Sequence, residues 1–154
     1  MSFDDSIERV REKAKRIIQP LPKDYVIQTR GYDYFSGDLK KRKGFFAAIS
    51  VDSKSKINFP RTFCNFSVRN DKNYIEIEYI QIKDPALSKK GYSRKILKVI
   101  EEIAIENSIS RIHVFHCTNP DFWEHIGYKK QEDFFHSMSE SWVKKLDLTD
   151  LVFS

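Results

Sequence analysis

The fold is decided by residues 74–106, which read YIEIEYIQIKDPALSKKGYSRKILKVIEEIAIE. Tyr74 to Ile82 is rich in Tyr and Ile, residue types that favour β-strands. From about Ser93 to Glu106 the apolar residues recur at helical spacing, which predicts a helix with one buried face. A loop that contains Gly91 joins these two segments. The stretch therefore predicts a strand, a loop and a helix, in that order.

The residues after this stretch extend the same unit. Asn107 is predicted to end the helix in a left-handed conformation. Ile112 to Cys117 is apolar and predicts a second strand. Asn119 and Pro120 suit the N-cap and the first position of a short helix that ends at Gly127. Two strands joined through a helix should be parallel, with a right-handed crossover.

The residues before Tyr74 predict an antiparallel meander. Phe45 to Val51 and Arg61 to Arg69 are strand-like runs, and turn-forming residues separate each run from the next. Tyr128 to Lys130 and Ser139 to Leu146 are predicted to close the sheet. Together with the parallel pair, these strands predict an α/β protein with a mixed, α+β type of sheet.

The first 43 residues differ in character from the predicted core at residues 44–146. Residues 4–18 carry apolar side chains at helical spacing, Tyr25 to Thr29 is a short strand, and residues 31–43 read as a polar, basic loop. The total of 154 residues is the usual size of one domain. We therefore expect a single domain over residues 1–154, with an N-terminal helix and basic loop ahead of the core.

Composition narrows the classes of protein that the chain can represent. Apolar residues make up 40% and charged residues 32%, and no apolar run is long enough to cross a membrane. The first residues are acidic, which is unlike a secretory signal, so we expect a cytoplasmic protein with no membrane association. Cys64 and Cys117 lack the paired spacing of a zinc site, so we expect reduced thiols and no metal.

Charge is distributed unevenly along the chain. Residues 1–70 hold 15 Lys and Arg against 8 Asp and Glu, whereas residues 71–154 hold 12 against 14. A basic N-terminal half could attract an anionic partner such as RNA, an acidic protein or a phosphorylated cofactor. In an RNA-binding reading, the stacking groups would be Tyr25, Tyr32, Tyr34 and Phe35.

The loop before the predicted helix has the features of a phosphate-binding site. The first N–H groups of a helix lack internal partners, and the helix dipole adds positive potential there. Gly91 lets an anion approach the backbone, and Lys89, Lys90 and Arg94 add charge. Neither the nucleotide P-loop string nor the dinucleotide glycine fingerprint is present.

Two ordered motifs resemble those of the GNAT superfamily of N-acetyltransferases. Residues 88–93, Ser-Lys-Lys-Gly-Tyr-Ser, fall on the family's [QR]-x-x-G-x-[GA] loop, with Ser88 replacing Gln or Arg and Ser93 replacing Gly or Ala. Asn119 and the Gly127-Tyr128 pair fall on the family's second motif. The resemblance covers roughly residues 44–146. It implies the GNAT-like acyl-CoA N-acyltransferase fold, in which the two central parallel strands splay apart.

The resemblance also implies a co-substrate, a reaction and a binding site. Acetyl-coenzyme A would lie between the splayed strands and give its acetyl group to a primary amine by direct attack, with no covalent enzyme intermediate. The identity of the amine, a small molecule or a protein, is left open. The implied cofactor-binding residues are Ile80, Gln81, Ile82, Lys89, Lys90, Gly91, Tyr92, Ser93, Arg94, Asn119, Phe122 and Trp123.

The catalytic residues are less well defined than the cofactor loop. Some members of the family use a Glu on the strand before the loop as a base, and the alignment of strand ends puts Glu76 there. Glu78 would share the face of Glu76 because side chains alternate with a period of two residues. His113 and His116 are further candidates for the base.

Trp123 occupies the place where many members of the family carry a Tyr that protonates the leaving thiolate. Indole cannot act as an acid near neutral pH, so another group, water or an unaided departure would have to serve. Two alternatives to an active enzyme therefore remain. One is a catalytically inactive protein that binds coenzyme A or a partner, and the other is a nucleic-acid-binding protein that uses the basic N-terminal half.

Overall fold

The structure is a computed structural model that describes residues 3–32, 44–115, 119–131 and 141–148. These residues form three helices and one seven-stranded sheet with the strand order β1-β2-β3-β4-β5-β7-β6. The elements are α1 (Phe3–Ile17), β1 (Tyr25–Tyr32), β2 (Gly44–Ser53), β3 (Thr62–Arg69), β4 (Tyr74–Ile82), α2 (Tyr92–Glu106), β5 (Arg111–Phe115), α3 (Pro120–His125), β6 (Lys129–Gln131) and β7 (Ser141–Lys145).

The sheet is antiparallel except at its centre, where β4 and β5 run parallel. The helix α2 connects these two strands, as the spacing of the sequence motifs predicts. The mixed α/β fold with an antiparallel meander followed by a parallel pair is therefore confirmed. No described helix has both the length and the apolar character that a membrane span requires.

Helices α1 and α2 lie side by side against one face of the sheet and form the main core with it. The residues of α2 that recur at helical spacing are buried, as the apolar pattern predicts. They are Tyr92, Ile96, Leu97, Val99, Ile100, Ile103 and Ala104. Facing strand residues such as Ile49, Phe66 and Ile75 are fully buried, so this face carries most of the hydrophobic stabilisation.

Ion pairs tie α1 to α2 across their exposed edges. Arg9 and Lys13 both contact the carboxylate of Glu106, and Arg16 contacts Glu102. Burial opposes the ionisation of Glu106, but the hydrogen bonds from Lys13 and Arg9 outweigh it and lower the pKa of that carboxyl. These pairs compensate part of the positive charge of the N-terminal half, and leave less of it for an anionic partner.

Several predicted boundaries change in detail. The first strand extends three residues beyond Thr29, to Tyr32, because it pairs with β2 along its whole length. Asn107 has a φ of −92°, and the left-handed residue is Ser108, at 56°. The Asn107 side chain instead donates at 2.8 Å to the Ile103 carbonyl, which also accepts the Asn107 backbone N–H at 3.1 Å.

A β-bulge interrupts β4 at Glu78. Asn65 of β3 faces Tyr79 of β4, whereas the next residue, Phe66, faces Ile77, so Glu78 is the extra residue. Up to Ile77 the side chains of β4 alternate between the two faces of the sheet. The extra residue Glu78 interrupts this alternation, which starts again at Tyr79. The period of two therefore cannot be extended past Glu78 along β4, and the expectation that Glu76 and Glu78 share a face stays a prediction.

The parallel pairing of β4 with β5 stops at the same place. The paired residues are Ile75 with Ile112, Glu76 with His113, and Ile77 with Val114. From Tyr79 to Ile82, β4 stays paired with β3 on one side, while no described residue pairs with it on the other. Among the described residues the pairing of β4 with β5 thus ends at Ile77 and Val114, which agrees with the predicted splay of the two central strands.

Candidate active site

A cavity of about 400 Å³ opens beside the unpaired end of β4. The end of β4, the loop that follows it and the helix α3 line this cavity. The lining residues are Ile80, Ile82, Leu87, Ser88, Lys89, Gly91, Tyr92, Ser93, Asn119, Phe122 and Trp123. Segments distant in sequence therefore meet where the central strands separate.

The loop between β4 and α2 has a backbone geometry that suits the binding of an anion by N–H groups. Lys89 and Gly91 have left-handed φ values of 60° and 84°, on either side of Lys90. Turns of this kind aim successive N–H groups into one concavity, to which the first N–H groups of α2 add. A Cβ on Gly91 would meet no atom within 4 Å, so the space in front of this residue is open.

Tyr92 fixes the start of α2. Its ring is buried in the core, and its hydroxyl donates to the Pro20 carbonyl, in the segment between α1 and β1. Lys95, one turn below, donates to the Gln19 carbonyl. The segment that follows α1 therefore holds one side of the N-terminus of α2, and the other side of this N-terminus lines the cavity.

Nine of the twelve predicted cofactor-binding residues line the cavity, and three do not. Gln81 donates from its side chain to the Arg61 carbonyl at 3.3 Å. Lys90 is exposed outside the lining. Arg94 lines a second groove of about 280 Å³ between α2 and α3. That groove also contains Leu97, Lys98, Glu101, His125, Ile126 and Lys144.

Leu87 was not among the predicted site residues. It is an apolar residue in an otherwise polar loop, only 1% exposed, and it belongs to the core cluster while it also lines the cavity. In the sequence Leu87 is followed by Ser88, Lys89 and Lys90, and an apolar residue beside such a polar run indicates a loop that is anchored to the core. Ser88, the motif residue that replaces Gln or Arg, lines the cavity beside it.

Trp123 packs into the core at the wall of the cavity. It is 4% exposed, and its ring meets Phe122 and Tyr128 edge-on, with centroid distances of 5.2 and 5.0 Å. Burial raises the pKa of the Tyr128 hydroxyl above its usual range, so this neighbour is a poor acid as well. The aromatic group shapes the wall, and neither ring offers a proton to a thiolate.

Two carboxylates, those of Glu76 and Glu78, lie on β4 ahead of Ile80, the first residue of this strand that lines the cavity. Partial burial, followed by the charge of Glu76, raises the pKa of Glu78, while Arg69 opposes this shift. Glu76 is in register with Ser67 on β3 and with His113 on β5. The His113 ring lies 4.9 Å from that of Tyr74. His116, the other predicted histidine, lies outside the described residues.

The described residues provide neither a metal centre nor a reactive thiol. No three of their His, Cys, Asp and Glu side chains come together as metal ligands would. Cys64 is fully buried on β3, and burial raises the pKa of its thiol. Such a thiol carries almost no thiolate at neutral pH and is a poor nucleophile. Cys117 lies outside the described residues.

No protein-family model and no curated protein sequence matches the chain at a significant level. In contrast, 117 chains of solved structures match its fold. An acetyltransferase from Bacillus cereus is 17% identical, with a TM-score of 0.52, over 68% of this chain and 76% of the other.

Two further matches carry a bound coenzyme. A GNAT family acetyltransferase from Elizabethkingia anophelis with acetyl-CoA bound has a TM-score of 0.52 at 10% identity, over 81% of this chain and 100% of the other. The PaiA N-acetyltransferase from Thermoplasma acidophilum, in complex with coenzyme A, has a TM-score of 0.50 at 16% identity, over 70% and 64%. The chain therefore has the fold of the GNAT acetyltransferases.

Proposed function

We propose that this protein transfers an acyl group, in the first place acetyl, from coenzyme A to a primary amine. The observation that carries the proposal is the cavity at the splay between β4 and β5. It combines an open strand edge, an anion-binding loop and an apolar wall in a fold that other acetyltransferases share.

The open edge of β4 suits the pantetheine arm of the acyl donor. From Tyr79 to Ile82 the backbone pairs only with β3 among the described residues, so its other edge can bind an extended ligand as an added strand would. Ile80 and Ile82 contribute apolar side chains to the same cavity. This edge would place the thioester near the bulge.

The loop at residues 88–93 suits the pyrophosphate. The N–H groups around Gly91 and the start of α2 supply donors, and Lys89 adds a positive charge at the cavity. Ser88 and Ser93 provide hydroxyl groups where the family pattern has an amide or guanidinium and a small residue. Neutral donors can still hold the anion, because most of the contacts would come from backbone N–H groups.

Glu78 is the carboxylate best suited to act as the base. An alkyl ammonium must lose a proton before its nitrogen can attack the thioester carbonyl. A carboxylate with a raised pKa accepts that proton more readily than an ordinary one. The thioester carbon–sulfur bond then breaks, the thiolate leaves with the electron pair, and solvent protonates it.

Thiol release tests the proposed reaction. The protein is mixed with acetyl-coenzyme A and a panel of primary amines, and free coenzyme A and acetylated amine are both measured. We expect release that depends on the presence of an amine. If the protein binds acetyl-coenzyme A and releases no thiol above the protein-free rate with any amine, the alternative of a coenzyme A-binding protein without catalysis is favoured.

A further inference from the structure

An ionic cluster of two buried carboxylates and a partly exposed guanidinium adjoins the loop that follows β4. It consists of Asp52 at the end of β2, Arg61 just before β3, Asp84 at the start of the loop and Tyr25 at the start of β1. Asp52 and Asp84 are 0% and 1% exposed. The cluster therefore joins the ends of three strands to the loop that follows the fourth.

Arg61 binds both carboxylates. Its Nη2 lies 2.9 Å from Asp52 Oδ1 and 3.0 Å from Asp84 Oδ2, and its backbone N–H donates to Asp52 Oδ2 at 2.9 Å. The Arg61 hydrogen bond, acting against burial, lowers the pKa of Asp52 to about 2. Both carboxylates thus share one guanidinium in a fixed geometry.

Asp84 transmits this geometry to the loop. Its Oδ2 accepts a hydrogen bond from the Tyr25 hydroxyl at 2.6 Å, and that bond raises the pKa of Tyr25. Its Oδ1 accepts the N–H of Ala86 at 2.9 Å, while its carbonyl accepts those of Leu87 and Ser88 at 3.0 and 2.9 Å. The side chain and the carbonyl of this one residue thereby hold the turn that leads to the cavity-lining residues 87–91.

A cluster of this kind is not expected if its only role is to stabilise the folded state. Burying two carboxylates with one guanidinium carries a desolvation penalty, and well-packed apolar residues are often as stable or more so. What ionic groups provide better than apolar ones is directional geometry. A loop held in its binding conformation before the ligand arrives loses less conformational entropy on binding.

We infer that Asp84, held by Arg61 and Tyr25, is a positioning residue that sets the affinity for the phosphate part of coenzyme A. It acts through the loop and does not touch the ligand. This inference rests on the proposed function, since it assumes that residues 88–93 bind the pyrophosphate. The other groups that face Asp84 are Arg61, Tyr25 and the three loop amides.

The test uses two variants of the cluster and one matched control. Asp84→Asn removes the charge and keeps the shape, and Tyr25→Phe removes only the hydroxyl. Glu106→Gln is the control. Like Asp84, Glu106 is a carboxylate with two side-chain partners from other parts of the chain, here Arg9 and Lys13 of α1, but it lies at the opposite end of α2. Each variant is measured for binding of coenzyme A by calorimetry, for unfolding by denaturant, and for hydrogen exchange of the amides of residues 86–88 without ligand.

We expect Asp84→Asn to weaken coenzyme A binding by about tenfold or more, the usual effect of losing a hydrogen bond to a charged group. Tyr25→Phe should weaken binding in the same direction, with faster exchange at residues 86–88 in both variants. In steady-state kinetics the KM for acetyl-coenzyme A should rise while kcat at saturation is retained. Glu106→Gln should lose stability without a change in affinity or loop exchange.

Unchanged affinity and unchanged loop exchange in folded Asp84→Asn and Tyr25→Phe would overturn the inference. If Asp84→Asn does not fold, Tyr25→Phe decides alone, since removing one hydroxyl from a partly exposed ring leaves the core intact. Failure of the wild-type protein to bind coenzyme A would refute the proposed function instead, and the exchange rates would still show whether the cluster holds the loop.

Discussion

Gly91 combines a left-handed backbone conformation with open space at the position where a side chain would begin. Its φ of 84° lies in the left-handed region, and the space where a side chain would start is open towards the cavity. Any L-residue with a Cβ is strained at this φ by roughly 1–2 kcal/mol. A side chain there would also project into the space that the proposed pyrophosphate occupies.

The pair Gly91→Glu and Gly91→Gln separates charge from strain. Both variants carry a side chain of the same size and the same left-handed φ, so both should lose about 1–2 kcal/mol of unfolding free energy. Only the glutamate places a negative charge against the pyrophosphate, so it should abolish coenzyme A binding while the glutamine variant retains part of it. Equal affinities of the two variants would place the pyrophosphate elsewhere.

Glu78 is the carboxylate on β4 whose surroundings favour the protonated form. Its pKa is raised above the ordinary value of 4.5 by burial and then by Glu76. A group whose folded pKa is raised in this way contributes stability at low pH, and that contribution is lost as the pH rises through the folded pKa. At neutral pH the ionised Glu78 therefore opposes folding, which is a typical property of a functional residue.

We expect Glu78→Gln to reduce the transfer rate at pH 7 by about 10²–10⁴-fold, with partial recovery at high pH where the amine deprotonates itself. The unfolding free energy at pH 7 should stay equal or rise, because an unfavourable charge has been removed. Glu76→Gln is the informative partner: it should move the acidic limb of the pH–rate profile to lower pH without abolishing it. Wild-type profiles in both variants would show that neither carboxylate is the base.

At the scale of elements, the bulge on β4 lies where the described pairing with β5 stops. Without Glu78 the strand would read Ile75-Glu76-Ile77-Tyr79-Ile80-Gln81-Ile82, which alternates regularly between apolar and polar residues. The pairing with β3 continues on both sides of the extra residue, whereas among the described residues no pairing with β5 extends beyond it. Because bulges bend the strand that contains them, we infer that this bulge separates the two central strands.

Deletion of Glu78 should therefore close the site without disrupting the core. Because Ile80 and Ile82 keep the face they occupy now, the variant is expected to fold, with β4 straighter and its parallel pairing with β5 extended. Coenzyme A binding, measured by calorimetry, should be lost. Glu78→Ala keeps the bulge and should bind coenzyme A as the wild type does, and wild-type binding by the deletion variant would show that the bulge does not create the site.

At the scale of the whole molecule, the site depends on parts of the chain that lie far apart in sequence. The segment before β1 holds the start of α2, Tyr25 at the start of β1 and Arg61 just before β3 hold the loop, and α3 forms the opposite wall. A ligand that binds this assembly and not the unfolded chain must stabilise the entire fold.

Acetyl-coenzyme A at a concentration of 100 Kd should add about 2.7 kcal/mol to the free energy of unfolding, with a matching rise in Tm. Single-stranded RNA at the same phosphate concentration should leave Tm unchanged at physiological salt, since Arg9, Lys13 and Arg16 are already paired with α2. Stabilisation by RNA and not by acetyl-coenzyme A would instead favour the nucleic-acid-binding alternative.

The sequence by itself determined the order of elements around Gly91. The β-rich run at 74–82, the helical stripe from Ile96 to Ala104 and the capping pair at Asn119 and Pro120 each depend on local preferences of the backbone and on burial of one face. Such preferences act over a few residues and can be read without knowing the partners. They were sufficient to predict the strand–loop–helix–strand unit, whereas the prediction of most residues of the cavity came from the resemblance to the GNAT motifs.

Only the tertiary structure decided which side chains meet. The bulge at Glu78 arises from the pairing with β3, and a period of two gives no sign of where an extra residue will be accommodated. The partners Asp52, Arg61 and Asp84 come from three different loops or strand ends, and they meet because the two buried carboxylates share one guanidinium. Long-range pairing and burial are set by the packed sheet as a whole, and the local pattern of residues therefore does not contain them.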